Sequence, residues 1–98
     1  VDPSSSVTAD LPATWSMTEE WYSFRTNPRS IGARVLLTLD ESSYHPRGPS
    51  QDLSMGDHPI AWLHCVGDGR VFYTAIGHRP ENYSEPNSAR IQAQGIAW

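Results

Sequence analysis

The residues best suited to chemistry in this chain are one histidine and a small set of carboxylates flanked by aromatic rings. His78 stands in "AIGHRPENY" (75–83), directly after an apolar run that ends in Gly77. An imidazole titrates near neutral pH, so His78 can give or take a proton, with Glu81 within reach as an orienting partner. The stretch Glu19-Glu20-Trp21-Tyr22 sets acids beside flat rings. Carboxylates take hydroxyl protons and aromatic faces stack on the apolar side of a sugar ring, so this composition fits a carbohydrate site. Asp40-Glu41 closes an apolar run and leads toward Tyr44 and His45. If Glu20 and Glu41 lay roughly 5–9 Å apart they would form the carboxylate pair of a glycoside hydrolase.

The bland reading stands beside each of these. His78 is otherwise a strand-end histidine bonded to backbone, and Glu81 the opening of a helical turn after Pro80. Trp21 and Tyr22 are otherwise core, and Glu41 the cap of a turn. His64 reads as a satisfied strand histidine and His58, before Pro59, as a turn or packing residue. Arg70 is expected to pair with an acid. The four histidines show no HxH or HxxxH spacing, so no metal site is expected, and no glycine-rich phosphate loop points to a cofactor.

Several elements must position these groups. "RVLLTLD" (34–40) reads as a strand. "PIAWLHCV" and "RVFYTAI" flank Gly67-Asp68-Gly69, which predicts a β-hairpin over 58–77, with the positive φ that an Asp-Gly turn needs. Both faces of the two strands are largely apolar, as in strands covered on two sides. Residues 41–57 form a long stretch without periodicity, a functional or mobile loop. Residues 87–98 read as a helix capped by Asn87 or Ser88, with Ala89, Ala93, Ile96 and Ala97 on one stripe and Gly95 allowing close packing. The period of "WSMTEEWYSF" (15–24) fits either a strand or a helical turn.

The chain has 98 residues, enough for one small domain that buries about 60–65% of its unfolded surface. Only 38% of residues are apolar. Layers on both faces of a sheet are more than this composition easily supplies, so the sheet is expected to be incomplete. The net charge of −4 argues against a nucleic-acid partner. No run reaches the roughly 20 apolar residues of a membrane span. The single cysteine, Cys65, excludes an internal disulfide. The chain begins at Val1 rather than Met, which fits a processed or cut chain and leans the compartment toward the periplasm or the exterior. Asn82-Tyr83-Ser84 matches the glycosylation sequon.

The motifs Leu11-Pro12, Glu20-Trp21-Tyr22, "VLLTLDESSY" (35–44), "DHPIAW" (57–62), "GDGRVFYTAIGH" (67–78) and "GIAW" (95–98) together resemble the ThuA-like (trehalose utilisation) family. That family is a branch of the class I glutamine amidotransferase-like superfamily. The resemblance implies an α/β, doubly wound, flavodoxin-like domain of which residues 1–98 are the C-terminal part. It implies a small-molecule sugar or sugar derivative as ligand. Self-association, or a second chain supplying the missing half, would then cover the exposed sheet. Related amidotransferases end a strand at this place in His-Pro-Glu, the His and Glu of a Cys-His-Glu triad. Here the pattern is His78-Arg79-Pro80-Glu81, with Glu one position further on. Cys65 lies mid-strand rather than at a strand-to-helix elbow, so glutamine amidotransferase activity is not expected. The resemblance implies His78 and Glu20 as catalytic residues. Trp21, Tyr22, Glu41, Tyr44 and Glu81 would contact the ligand, in an enzyme or in a module that only binds carbohydrate or protein.

Overall fold

The computed structural model describes all of residues 1–98. Three strands, β1 (Arg34–Thr38), β2 (Pro59–Val66) and β3 (Gly69–Thr74), form an antiparallel sheet in the order β1-β2-β3. One helix, α1 (Pro86–Ala97), follows. The molecule is mixed α/β, compatible with part of a flavodoxin-like domain. The predicted hairpin is present, one residue out of the expected register. Val66 pairs with Gly69, so the loop is Gly67-Asp68. Gly67 carries the positive φ, at 56°, and Asp68 does not. This is the demand of a two-residue loop with glycine first, not of an Asp-Gly turn.

In β1, Val35 faces Trp62 and Leu37 faces Ala61, which leaves Leu36 as a bulged residue without a partner. Its carbonyl accepts the Asp2 N–H at 2.8 Å, so the N-terminal segment satisfies the edge the bulge opens. The bulge also lets three consecutive residues, Val35, Leu36 and Leu37, be buried.

Both sides of the sheet are covered over β1 and the first part of β2, whereas no residue of β3 is fully buried, so the two-sided strand pattern holds only in part. On one side Ile91 and Gly95 of α1 pack down, and a Cβ at Gly95 would overlap the Phe72 ring. The expected close approach at Gly95 is therefore real. On the other side Trp62 stacks on Tyr73 at 4.1 Å between centroids, and Phe24 meets both rings edge-on. Rings arranged this way add to area burial.

The helix corrects two expectations. Its cap is Glu85, whose carboxylate accepts the Ser88 N–H at 2.7 Å, with Pro86 in the first turn. Its buried stripe is Ser88, Ile91 and Gly95. The predicted stripe of Ala89, Ala93, Ile96 and Ala97 faces outward instead, with Ile96 86% exposed. Small size at Ser88 and Gly95 mattered more to the fit against the sheet than hydrophobicity did. Arg70 pairs with no acid; its guanidinium lies 5.3 Å from the centre of the Trp98 ring.

Residues 15–22 take no assigned helix or strand, but their exposure alternates strictly. Trp15, Met17, Glu19 and Trp21 turn inward, and Ser16, Thr18, Glu20 and Tyr22 turn outward. That is an extended chain with a period of two, which resolves the open choice for this segment.

Candidate functional site

The extended segment delivers Glu19 and Glu20 to the turn after β3, on opposite faces of the chain. The Ala75 N–H still donates to the Ile60 carbonyl at 2.8 Å, so sheet pairing runs one residue past β3. Gly77 then turns the chain at φ 143°. Glu19 grips the backbone of this turn. Its Oε2 accepts the Gly77 N–H at 2.7 Å, and both its oxygens accept the His78 N–H at 3.2 Å. Asn82, itself buried, donates its Nδ2–H to the same carboxylate at 2.7 Å. Burial raises the Glu19 carboxyl. The bonds from Gly77, Glu20, Asn82 and His78 lower it by more, so it lies below the ordinary glutamate value.

Glu20 takes the side chain. Its Oε2 stands 2.9 Å from His78 Nδ1. A carboxylate beside Nδ1 favours the tautomer that keeps its proton on that nitrogen. The adjacent acids thus divide the work: one fixes the main chain of His78 and the next fixes its imidazole. Both partners of the pair are about half-exposed, at 49% and 52%. A contact this open contributes little to folding. Its geometry suits proton transfer at the surface of a groove.

That groove, of about 420 Å³, is lined by Tyr22, Tyr73, Gly77, His78 and Tyr83 with the end of β3 between them. Tyr22 is on the outward side of the extended segment and joins it. Trp21, one residue on, turns inward and packs against the main core. The pair Trp21-Tyr22 is therefore split, one ring to the core and one to the groove.

Glu41 and Tyr44 are brought together elsewhere. The Glu41 carboxylate accepts the Met55 N–H at 2.6 Å and the Gly56 N–H at 2.9 Å, and faces His58 Nδ1 at 2.8 Å. These partners, Met55 foremost, hold it below the ordinary glutamate value. The Tyr44 hydroxyl lies 3.3 Å from the same Nδ1, and burial followed by the Glu41 charge raises it above the ordinary tyrosine value. Glu41 closes the long loop 41–57 onto itself and lines a second groove with Ser42, His45, Pro46 and Arg47. It does not line the groove of His78. Glu81 is exposed and stands 3.9 Å from Arg79, not against His78. Its place beside the imidazole is taken by Glu20, from a segment almost sixty residues earlier.

Three functional neighbours carried too little signal in the sequence. Glu19 differs from Glu20 only by which way an extended chain turns it. His58 is 1% exposed and is a network residue rather than a simple turn histidine, with Nε2 against the Tyr22 carbonyl at 2.8 Å. Asn82 spends its amide on Thr18 and Glu19, so the sequon is not an open acceptor in the folded chain. Cys65 is exposed and pairs across the hairpin with Arg70, at the far end of β2 and β3 from His78. No group of three or more His, Cys, Asp or Glu side chains could hold a metal ion, and no helix is long and apolar enough to cross a membrane.

No curated protein and no solved structure matches the chain. A family model described as "ThuA: Trehalose utilisation" matches residues 1–98, and the chain belongs to that family.

Proposed function

We propose that the groove at His78 is a sugar-binding site with an acid/base pair, serving trehalose utilisation. His78 is the acid/base group, Glu20 orients it, and Tyr22 offers its ring to the ligand. The observation that carries this reading is the 2.9 Å contact between His78 Nδ1 and Glu20 Oε2 at the lip of an aromatic-lined groove. Membership of a family described by trehalose utilisation supports the class of ligand. Trp21, Glu41, Tyr44 and Glu81 stand away from this groove and are not assigned to it. Glutamine amidotransfer is not proposed, since the only thiol lies at the other end of the hairpin. Incubating the chain with trehalose, and comparing products with those of His78→Ala, tests the reading. Turnover lost in the variant supports it, and equal turnover contradicts it.

One observation favours a second reading, a module that holds sugar without changing it. The groove lining itself contains no carboxylate, so no second acid faces His78 across it. Saturable binding of trehalose with no product would select that reading.

A further inference from the structure

Tyr83 ends the short 3-10 turn Pro80–Tyr83 and is 56% exposed. A ring this open gains little from burial. The backbone is nonetheless shaped to accommodate it. A Cβ at Gly77 would stand 2.5 Å from the Tyr83 hydroxyl oxygen and 2.9 Å from Cζ, so the ring fills the space that any other residue at 77 would need. At φ 143° Gly77 also holds a conformation that L side chains rarely adopt. The preceding residue, Asn82, is buried and bonded to Thr18 and Glu19, which anchors the turn while Tyr83 lines the groove beside His78. Tyr22, 46% exposed, lines the same groove.

We infer that Tyr83 is a ligand-contacting residue: its ring is a wall of the groove that packs on the C–H face of a pyranose presented to His78, in space that Gly77 leaves open. This rests on the sugar-site reading above. Aromatic rings supply flat, rigid contact area at low entropic cost, and an exposed ring beside an acid/base group is placed for that use. A purely structural Tyr83 would move stability and leave sugar affinity alone.

The test titrates trehalose into the 98-residue chain and follows the Gly77 and His78 backbone amides by NMR. Tyr83→Phe keeps the ring and should bind within about twofold of wild type. Tyr83→Ala, and Tyr83→Leu as a bulky but non-planar control, should weaken binding at least about fivefold while the melting temperature stays unchanged. Wild-type affinity in both Tyr83→Ala and Tyr83→Leu overturns this inference and leaves the sugar site standing. No saturable shift in the wild type with trehalose, maltose or glucose overturns the sugar-site reading and this inference together.

Discussion

Glu19 and His78 are joined through the main chain: both oxygens of the Glu19 carboxylate accept the His78 N–H at 3.2 Å, while the neighbouring Glu20 takes the imidazole at 2.9 Å. Consecutive residues of an extended chain face opposite ways. Two adjacent acids can therefore hold one histidine by two different atoms only if the segment passes it edge-on. That geometry makes Glu19 a positioning residue and Glu20 the partner of the ring.

Replacing Glu19 with Ala should leave the Gly77, His78 and Asn82 donors without their acceptor. We expect a loss of about 1–3 kcal/mol at neutral pH, measured by urea unfolding. The carboxyl is depressed in the fold, so its contribution is present above the ordinary glutamate value of 4.5 and is lost as pH falls through the lower folded value. Asp2 acts in the same direction. Hydrogen bonds from Ser4 and Arg34 lower it to about 2, so its contribution fades between the ordinary value of 3.8 and that point. The gap between wild type and Glu19→Ala should thus narrow in acid. A gap that widens below pH 4 would contradict the assignment.

His58 should matter to the fold more than any other histidine. His58→Ala opens a cavity and leaves the Tyr22 carbonyl and one face of the Glu41 carboxylate without a partner. Unfolding should show a cost of about 2–4 kcal/mol. The same change at exposed His45 should fall within about 0.5 kcal/mol of wild type.

Gly95→Ala sets helix propensity against packing. In an exposed helix interior the change gains about 1 kcal/mol. Here the new methyl meets the Phe72 ring, and overpacking of a fitted core costs about 1–3 kcal/mol. We expect a net loss in thermal unfolding, and its reversal when Phe72→Leu makes room.

The outward face of α1 carries Ala89, Ala93, Ile96 and Ala97, and Ile31 and Val66 are also well exposed. We propose that a second copy of the chain covers part of the exposed face of α1. Sedimentation should show association that weakens in Ile96→Gln. A strictly monomeric wild type at high concentration would argue against it.

How legible this was depended on what sets each feature. The hairpin could be read because the turn and the strand residues are local signals, though loop register moved by one residue since Gly67 rather than Asp68 took the positive φ. The partial cover on both faces followed from the largely apolar residues of β2 and β3. The helix face could not be read from hydrophobicity: Gly95 and Ser88 face the sheet because they are small, and Ile96 points away. Residue type and family resemblance mark Glu20 as a catalytic candidate, but sequence distance points to Glu81 as the partner of His78. Glu81 instead lies exposed in the turn Pro80–Tyr83, and the contact comes from Glu20. The Glu41–His58 network and the anchoring by Glu19 join residues tens of positions apart, and no local pattern marks such contacts.

The most direct test is a double-mutant cycle on the pair itself, with trehalose affinity as readout and unfolding as control. If Glu20 and His78 act as one unit at a ligand site, Glu20→Gln and His78→Ala should each weaken binding by about as much as the double variant, with stabilities within about 0.5 kcal/mol of wild type. Additive losses, or affinities unchanged in both single variants, would contradict the assignment of this pair to the site.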